Sequence, residues 1–260
     1  MNNTGLILTP PKETDYIFGD NKLGDSPINP SGQWDGWLPD WEAQSRPGAF
    51  DSYACVTFTT LTCVEIMERF HFGATSNWSD RFLAKLSETD KIRGNSPAVV
   101  AEVLKEKGCV PEKDLPFDIT INSFEKFYET ISNSLKTLAF AFKAEYAFGY
   151  SHVQSNAQDI MRALTYSPVL FTISAWYKDD NGLYYRPQGM TDGHATTCYG
   201  YEEGKYWKIL DSYADGETFL KKVRWDALPM QCKRYTLTRQ IFVETAWSKF
   251  LKLLRETLGL

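Results

Sequence analysis

The stretch Ser52-Tyr-Ala-Cys-Val-Thr-Phe-Thr-Thr-Leu-Thr-Cys-Val-Glu-Ile-Met-Glu-Arg-Phe70 decides the fold of this 260-residue chain. From Cys55 to Phe70 most positions are apolar, which is typical of a helix in the middle of a protein. Asp51 and Ser52 lie just upstream, where short polar side chains can cap the first turn. The sequence therefore predicts a central helix that begins at Cys55, with a thiol at the end where the helix dipole favours a thiolate.

The composition is that of a soluble globular protein, with 43% hydrophobic and 23% charged residues. A net charge of −5 gives no electrostatic footprint for nucleic-acid binding. No run of about 18 apolar residues is present, so no membrane span is expected. The N-terminus lacks the basic and apolar regions of a secretory signal, which favours a cytoplasmic or assembly-associated location.

Helical patterns dominate the first half of the chain and strand patterns the second. Further helices are predicted over Ser79–Leu86, Pro97–Lys107, 123–137 and Ala157–Leu164. Strands are predicted over Pro168–Ser174, in a hairpin of 195–201 and 206–210 that turns at Gly204, and over 234–237 and 240–244. This order predicts an α+β protein with two unlike halves.

Three regions are expected along the chain. Residues 1–40 are rich in proline and predict an extended N-terminal arm. Residues 41–244 form the folded domain, with a helical lobe over about 41–140 and a β lobe over about 141–244. Residues 245–260 predict an amphipathic helix that docks on its own domain. A contact with a protein partner or a second copy, or with a membrane surface, is the alternative for that helix.

Five cysteines, at 55, 63, 109, 198 and 232, leave at least one thiol free. A reactive thiol needs a base beside it and a group that orients the base. His194 opens the strand-rich half 139 residues after Cys55, and Asp211 closes the hairpin 17 residues later. Cys55, His194 and Asp211 are therefore the candidate catalytic residues, and the other four cysteines are expected to be inert core residues.

Four segments together resemble the papain-like cysteine peptidases. They are Ser52–Thr59 around the nucleophile, Gly108-Cys-Val-Pro-Glu-Lys-Asp-Leu-Pro-Phe117, Pro168-Val169, and the pair Asp192–Ala195 with Tyr206–Tyr213. The resemblance spans roughly residues 38–240 in the family's order, and the Cys-to-His separation matches papain's range of about 130–150 residues. It implies a two-lobed papain-like fold with Cys55 in the helical lobe and His194 in the β lobe. It also implies a peptide or protein substrate and no metal or organic cofactor.

Several positions depart from the family's pattern. Asp211 stands where the family has Asn, Tyr213 and Val56 where it has Trp, and Tyr53 replaces a half-cystine. The family's oxyanion Gln lies about six residues before the nucleophile, where this chain has Ala49. Gln44, eleven residues before Cys55, is the candidate oxyanion donor, provided that the loop 45–53 bulges outward.

These features favour a cysteine-dependent hydrolase that cleaves peptide or isopeptide bonds through an acyl-enzyme. The alternative is a catalytically decayed papain-fold protein that serves as a binding or structural component of a larger assembly. A third possibility keeps the triad but changes the reaction to that of a cell-wall amidase, a deubiquitinase-like enzyme or an acyltransferase.

Overall fold

A computed structural model describes residues 5–13, 15–18, 26–46, 50–173, 177–216, 218–240, 253 and 255–257. Ala49, the predicted strand residues 241–244 and most of the predicted helix 245–260 lie outside these residues. The proposed partner contact of that helix therefore stays a prediction. No helix among the described residues has the length and apolar content needed to cross a membrane.

Seven helices are described in the first two thirds of the chain: α1 Cys55–Phe72, α2 Asp80–Leu86, α3 Pro97–Lys107, α4 Phe124–Phe127, α5 Asn133–Leu138, α6 Phe140–Glu145 and α7 Ala157–Leu164. The boundaries of α1 and α3 follow local signals in the sequence. Gly73 ends α1 in the left-handed region at φ +64°. Ser96 caps α3 by accepting the N–H of Ala98, with Pro97 in the first helical position.

The single helix expected over 123–137 is wrong, because the structure has two short helices, α4 and α5, in its place. Arg81 explains the interruption. Its guanidinium donates to the carbonyl oxygens of Lys126 and Phe127, at 2.6 and 3.4 Å. These two carbonyls would accept the next N–H groups if the helix continued. Ser132 then caps α5 through the N–H of Leu135.

The strands of the described residues form a two-stranded hairpin and one eight-stranded sheet. The hairpin pairs β1 Ser45–Arg46 with β2 Phe50–Asp51. The large sheet has the order β3-β10-β4-β7-β8-β9-β6-β5 and is antiparallel except between β6 and β9. Its strands are β3 Tyr146–Val153, β4 Val169–Ile173, β5 Tyr177–Lys178, β6 Tyr184–Tyr185, β7 His194–Glu202, β8 Tyr206–Asp215, β9 Thr218–Arg224 and β10 Cys232–Arg239.

The core lies where α1 packs across the middle of this sheet, against β7, β4, β10 and β8. Every residue of β4 is buried, as are the first seven of β7. Cys55 and Val64 of α1 share an apolar cluster with Leu170 and Ala195 of the sheet. Burial of this interface joins the helical part of the chain to the strands.

The N-terminal arm runs over the segment that leads into α1. The N–H of Ile7 donates to Asn95 O at 2.7 Å, and the N–H of Asn95 donates to Gly5 O at 2.9 Å. Leu6 is buried in the cluster that contains Cys55. Gly5 lies so close to Tyr53 that an added Cβ would be 2.2 Å from the Tyr53 carbonyl oxygen. Cys55 itself has no exposed surface.

The arm is held against a glycine that has no room for a side chain. A Cβ on Gly94 would lie 1.8 Å from the carbonyl carbon of Gly5. Gly94 has φ +74°, and Gly204, in the β7–β8 turn, has φ +73° with nothing within 4 Å of its Cβ direction. The two glycines carry the same backbone strain when substituted, and only Gly94 touches the arm.

Gly94→Ala should therefore displace the arm and speed the alkylation of Cys55 by iodoacetamide. The rate is measured by mass spectrometry of the peptide that contains Cys55. Gly204→Ala is the matched control, because both changes place alanine at positive φ, at a cost of about 1–2 kcal/mol. Equal alkylation rates in the two variants would show that the arm does not limit access to the thiol.

Candidate active site

Cys55 is the first residue of α1, and its thiol lies beside the start of β7. The backbone N–H groups of Ala195 and Val56 act on this sulfur and favour its thiolate form. Burial raises the pKa of the Cys55 thiol well above its ordinary value, and the charges of Asp51 and Asp211 raise it further. The two N–H groups oppose this rise without reversing it. In this covered arrangement the neutral thiol is the favoured form.

The turn before Cys55 is fixed by side chains rather than by a helix cap. Ala54 occupies the N-cap position without a side-chain bond, so the expected capping by Asp51 and Ser52 is wrong. Asp51 instead accepts the N–H of Tyr53, which has the unusual φ of +56°. The Tyr128 hydroxyl donates to Ser52 O at 2.6 Å. These bonds stabilise a left-handed residue two positions before the thiol.

His194 and Asp211 form a buried pair on neighbouring strands. His194 Nε2 lies 2.7 Å from Asp211 Oδ1, and neither side chain has exposed surface. The Tyr213 N–H also donates to Asp211 Oδ1, at 3.1 Å, and the Tyr213 ring centroid is 5.1 Å from that of His194. Because Nε2 faces the carboxylate, Asp211 fixes the orientation of the imidazole ring.

A second buried carboxylate, Asp192, holds the loop that leads into His194. Its oxygens accept hydrogen bonds from Thr172 Oγ1 at 2.5 Å and from the Met230 N–H at 2.6 Å. Arg186 pairs with it at 2.9 Å. Burial raises the pKa of Asp192 despite these partners. The network ties the start of β7 to β4 and to the segment before β10.

The other oxygen of Asp211 is bonded to a buried lysine. Lys221 Nζ, on β9, lies 2.7 Å from Asp211 Oδ2, and its side chain is 1% exposed. Burial would raise the pKa of Asp211, but His194 and Lys221 outweigh it and hold the pKa below its ordinary value. Burial lowers the pKa of Lys221, and Asp211 opposes that change. The carboxylate is therefore ionised, with one oxygen for each partner.

The β1–β2 hairpin begins at the residue after Gln44. Ser45 pairs with Asp51 and Arg46 with Phe50, so the two ends of this segment lie side by side. At the base of the hairpin the Ser52 N–H donates to Gln44 O at 3.2 Å, and the Gln44 N–H donates to Ser212 O at 3.1 Å. Gln44 is therefore brought beside the segment that precedes Cys55 and beside the strand of Asp211.

The amide of Gln44 is held by three side chains. Its Nε2 donates to Asp51 Oδ1 at 3.0 Å and to the Tyr213 hydroxyl at 2.7 Å. Its Oε1 accepts from Ser212 Oγ at 2.7 Å. The Tyr213 hydroxyl in turn donates to Asp51 Oδ2. In this conformation the Gln44 amide supports the hairpin and the strand, and it would have to turn to meet an oxyanion.

The structure thus brings the four sequence-predicted site residues to one junction of α1, the hairpin and the sheet. Sequence reasoning missed the partners that hold them, namely Asp51, Asp192 and Lys221. A signal for the lysine is present in β9, where Lys221 and Lys222 are adjacent. Side chains alternate along a strand, so one of the two must face inward.

The remaining four cysteines are buried elsewhere in the core, away from the His194–Asp211 pair. All five are free thiols, and burial raises the pKa of Cys63, Cys109, Cys198 and Cys232. Among the described residues, no group of three or more histidine, cysteine or acidic side chains is arranged to hold a metal ion.

Solved structures with the same fold are cysteine proteases of low sequence identity. Bromelain from Ananas comosus, in complex with the E64 inhibitor, aligns at a TM-score of 0.61 and 19% identity, over 79% of this chain and 98% of that chain. Xylellain, a cysteine protease from Xylella fastidiosa, aligns at a TM-score of 0.64 and 17% identity, over 92% of this chain and 97% of that chain.

A larger protein contains the same fold as one part. The cysteine protease and lectin-like domains of Cwp84, a surface layer associated protein of Clostridium difficile, align at a TM-score of 0.68 and 13% identity. The alignment covers 91% of this chain and 56% of that chain. No protein-family model matches the sequence, and comparison with curated proteins finds no match. The predicted fold class is confirmed: this chain is an α+β protein with the papain-like fold.

Proposed function

We propose that the protein is a cysteine-dependent hydrolase that cleaves peptide or isopeptide bonds through Cys55, His194 and Asp211. The observation that carries this proposal is the meeting of the α1 N-terminus with the buried His194–Asp211 pair. Cys55 is buried in the same apolar cluster as Ala195, the residue after His194, and His194 Nε2 lies 2.7 Å from Asp211 Oδ1. A thiol, a base and an orienting carboxylate are the three parts of such a site.

In this mechanism His194 takes the proton of the Cys55 thiol, and the sulfur attacks the carbonyl carbon of the substrate. The imidazolium then protonates the leaving amine, and an acyl-enzyme remains on Cys55. His194 next removes a proton from water, which attacks the acyl carbon and releases the thiol. Asp211 keeps the ring in position and stabilises its charged form throughout.

The oxyanion of the tetrahedral intermediate would accept the Cys55 N–H and one N–H of the Gln44 amide. Both lie at the entry to α1, where the helix dipole adds favourable positive potential. Gln44 takes this role when its side chain turns away from Asp51 and Tyr213. The proposal does not depend on Gln44, because the Cys55 N–H supplies a donor on its own.

The alternative, a papain-fold binding protein without catalysis, is favoured by one observation. Neither Cys55 nor His194 has exposed surface, and burial raises the pKa of the thiol. The two functions differ in whether Cys55 reacts once the arm is loosened. E64, the inhibitor bound in the bromelain structure, is the probe for this difference.

In the Gly94→Ala background, Cys55→Ala should lower hydrolysis of a broad peptide library by at least about a thousandfold. Cys63→Ala is the matched control, because Cys63 is a buried cysteine of the same helix, and it should retain activity. Hydrolysis that persists in Cys55→Ala would contradict the mechanism. A protein that neither cleaves peptides nor reacts with E64, with or without Gly94→Ala, would favour the binding-protein alternative instead.

Gln44→Ala should lower kcat by about 10²–10³-fold with little change in KM, because the lost N–H bond forms to the oxyanion only in the transition state. Gln33→Ala is the control. The Gln33 amide also crosses to the sheet, donating to Tyr201 O at 3.0 Å, but at the opposite end of β7 from His194. A Gln44→Ala variant with unchanged kcat would exclude Gln44 as the oxyanion donor.

A further inference from the structure

A carboxylate at position 211 affects the two reacting groups in opposite ways. Its negative charge stabilises the imidazolium form of His194, 2.7 Å away. The same charge raises the pKa of Cys55 and so disfavours the thiolate. An asparagine, which the resembled family has at this position, orients the imidazole without adding charge. This chain therefore has one more negative charge at the site than an amide would give.

Lys221 supplies the opposite charge in direct contact with Asp211. Its Nζ lies 2.7 Å from Asp211 Oδ2, and both side chains are essentially without exposed surface. Screening by water and salt is weak in such a place. The lysine reaches the carboxylate because Lys221 pairs with Ile209 across β8 and β9, and Ile209 and Asp211 project from the same face of β8.

The two oxygens of Asp211 are divided between two sets of partners. Oδ1 accepts bonds from His194 and from the Tyr213 N–H, while Oδ2 accepts the bond from Lys221. The lysine thus fixes the rotation of the carboxylate so that Oδ1 faces the imidazole. None of these bonds joins Lys221 to His194 or to Cys55. Lys221 therefore acts on both groups through Asp211.

We infer that Lys221 is a positioning residue that makes the Asp211 carboxylate electrically equivalent to an amide. The Asp211–Lys221 pair accepts the His194 hydrogen bond while carrying no net charge. The Cys55 thiolate can then form without an uncompensated negative neighbour. This inference rests on the proposed function, since it assigns Lys221 a part in activating the same thiol.

Other charged and titratable groups face this pair. Asp215 on β8, Lys178 on β5 and the Tyr184 ring on β6, 5.4 Å from the ammonium, all act on Lys221. Lys178 and Asp215 are ion-paired with each other, so their charges largely cancel. On the other side, Asp51 acts on Cys55, and the phenols of Tyr128 and Tyr213 lie near the thiol. Of the lysines named here, Lys221 is the one bonded to the Asp211 carboxylate.

Removing the cation should raise the pKa of the Cys55 thiol further, because the charge of Asp211 already raises it. In Lys221→Met the midpoint of the pH dependence of Cys55 alkylation should move to higher pH, by about one unit. Ionisation of the thiol governs this midpoint. At pH values below the midpoint, alkylation should therefore slow about tenfold.

The decisive variant is Asp211→Asn with Lys221→Met, in which both charges are removed together. The inference predicts that this double variant returns the midpoint to within about a third of a unit of its original pH. Lys222→Met is the matched control, because Lys222 is the exposed neighbour on the same strand, and it should leave the midpoint in place. All variants carry Gly94→Ala so that the thiol is equally accessible.

Lys221→Met leaves a buried carboxylate without its cation and could fail to fold. Lys221→Gln then takes its place, because it keeps an N–H donor for Oδ2 and removes only the charge, and the same upward shift is expected. The double variant should fold, since it buries neither charge alone. Its failure to fold or to react would overturn the inference.

An unchanged midpoint in Lys221→Met, or a midpoint that stays displaced in the double variant, would also overturn it. Alkylation needs no substrate, so this result is separable from the proposed function. A Cys55 that responds to Lys221 but supports no hydrolysis would refute the peptidase and leave the charge coupling intact. A Cys55 that hydrolyses peptides without responding to Lys221 would refute the coupling alone.

Discussion

The carboxylate of Asp211 is buried, and the rest of the site depends on how its charge is satisfied. An isolated carboxylate in such a place would cost several kcal/mol, so its partners must meet it with good geometry. They come from β7 through His194, from β8 itself through the Tyr213 N–H, and from β9 through Lys221. The carboxylate is therefore satisfied only when β7, β8 and β9 are neighbours in the sheet, and the same neighbours build the site.

Much of the fold could be predicted because its signals are local. The local signals are the apolar run from Cys55, the Ser96-Pro97 start of α3, the turn at Gly204, and Asn156, whose side chain caps α7 by accepting the N–H of Asp159. Each lies within a few residues of the boundary that it specifies. Cys55 and His194 could be selected because a helix start and a strand start are readable features. Asp211 could be selected because it follows the strand predicted over 206–210, although β8 continues past it to Asp215. Their meeting follows from the packing of α1 on the sheet.

The features that sequence reasoning missed depend on contacts between distant segments. Arg81 interrupts the helix expected over 123–137 by binding carbonyls 45 and 46 residues away. Aspartate is a residue type that often caps helices, but the oxygens of Asp51 instead accept hydrogen bonds from the side chains of Gln44 and Tyr213. Lys221 sits in an alternating strand whose two lysines are indistinguishable until the register of β8 and β9 is known. In each case tertiary hydrogen bonding overrides a local preference.

The β1–β2 hairpin has a consequence for how such sites diversify. Its base is held by main-chain bonds from Gln44 to Ser52 and Ser212. Because these bonds lie outside the two strands, residues can be inserted or deleted between β1 and β2 while Gln44 keeps its place beside Cys55. The number of residues between an amide donor and its nucleophile is then free to drift during evolution. Search patterns that require a fixed spacing would pass over such chains, although the three-dimensional arrangement is preserved.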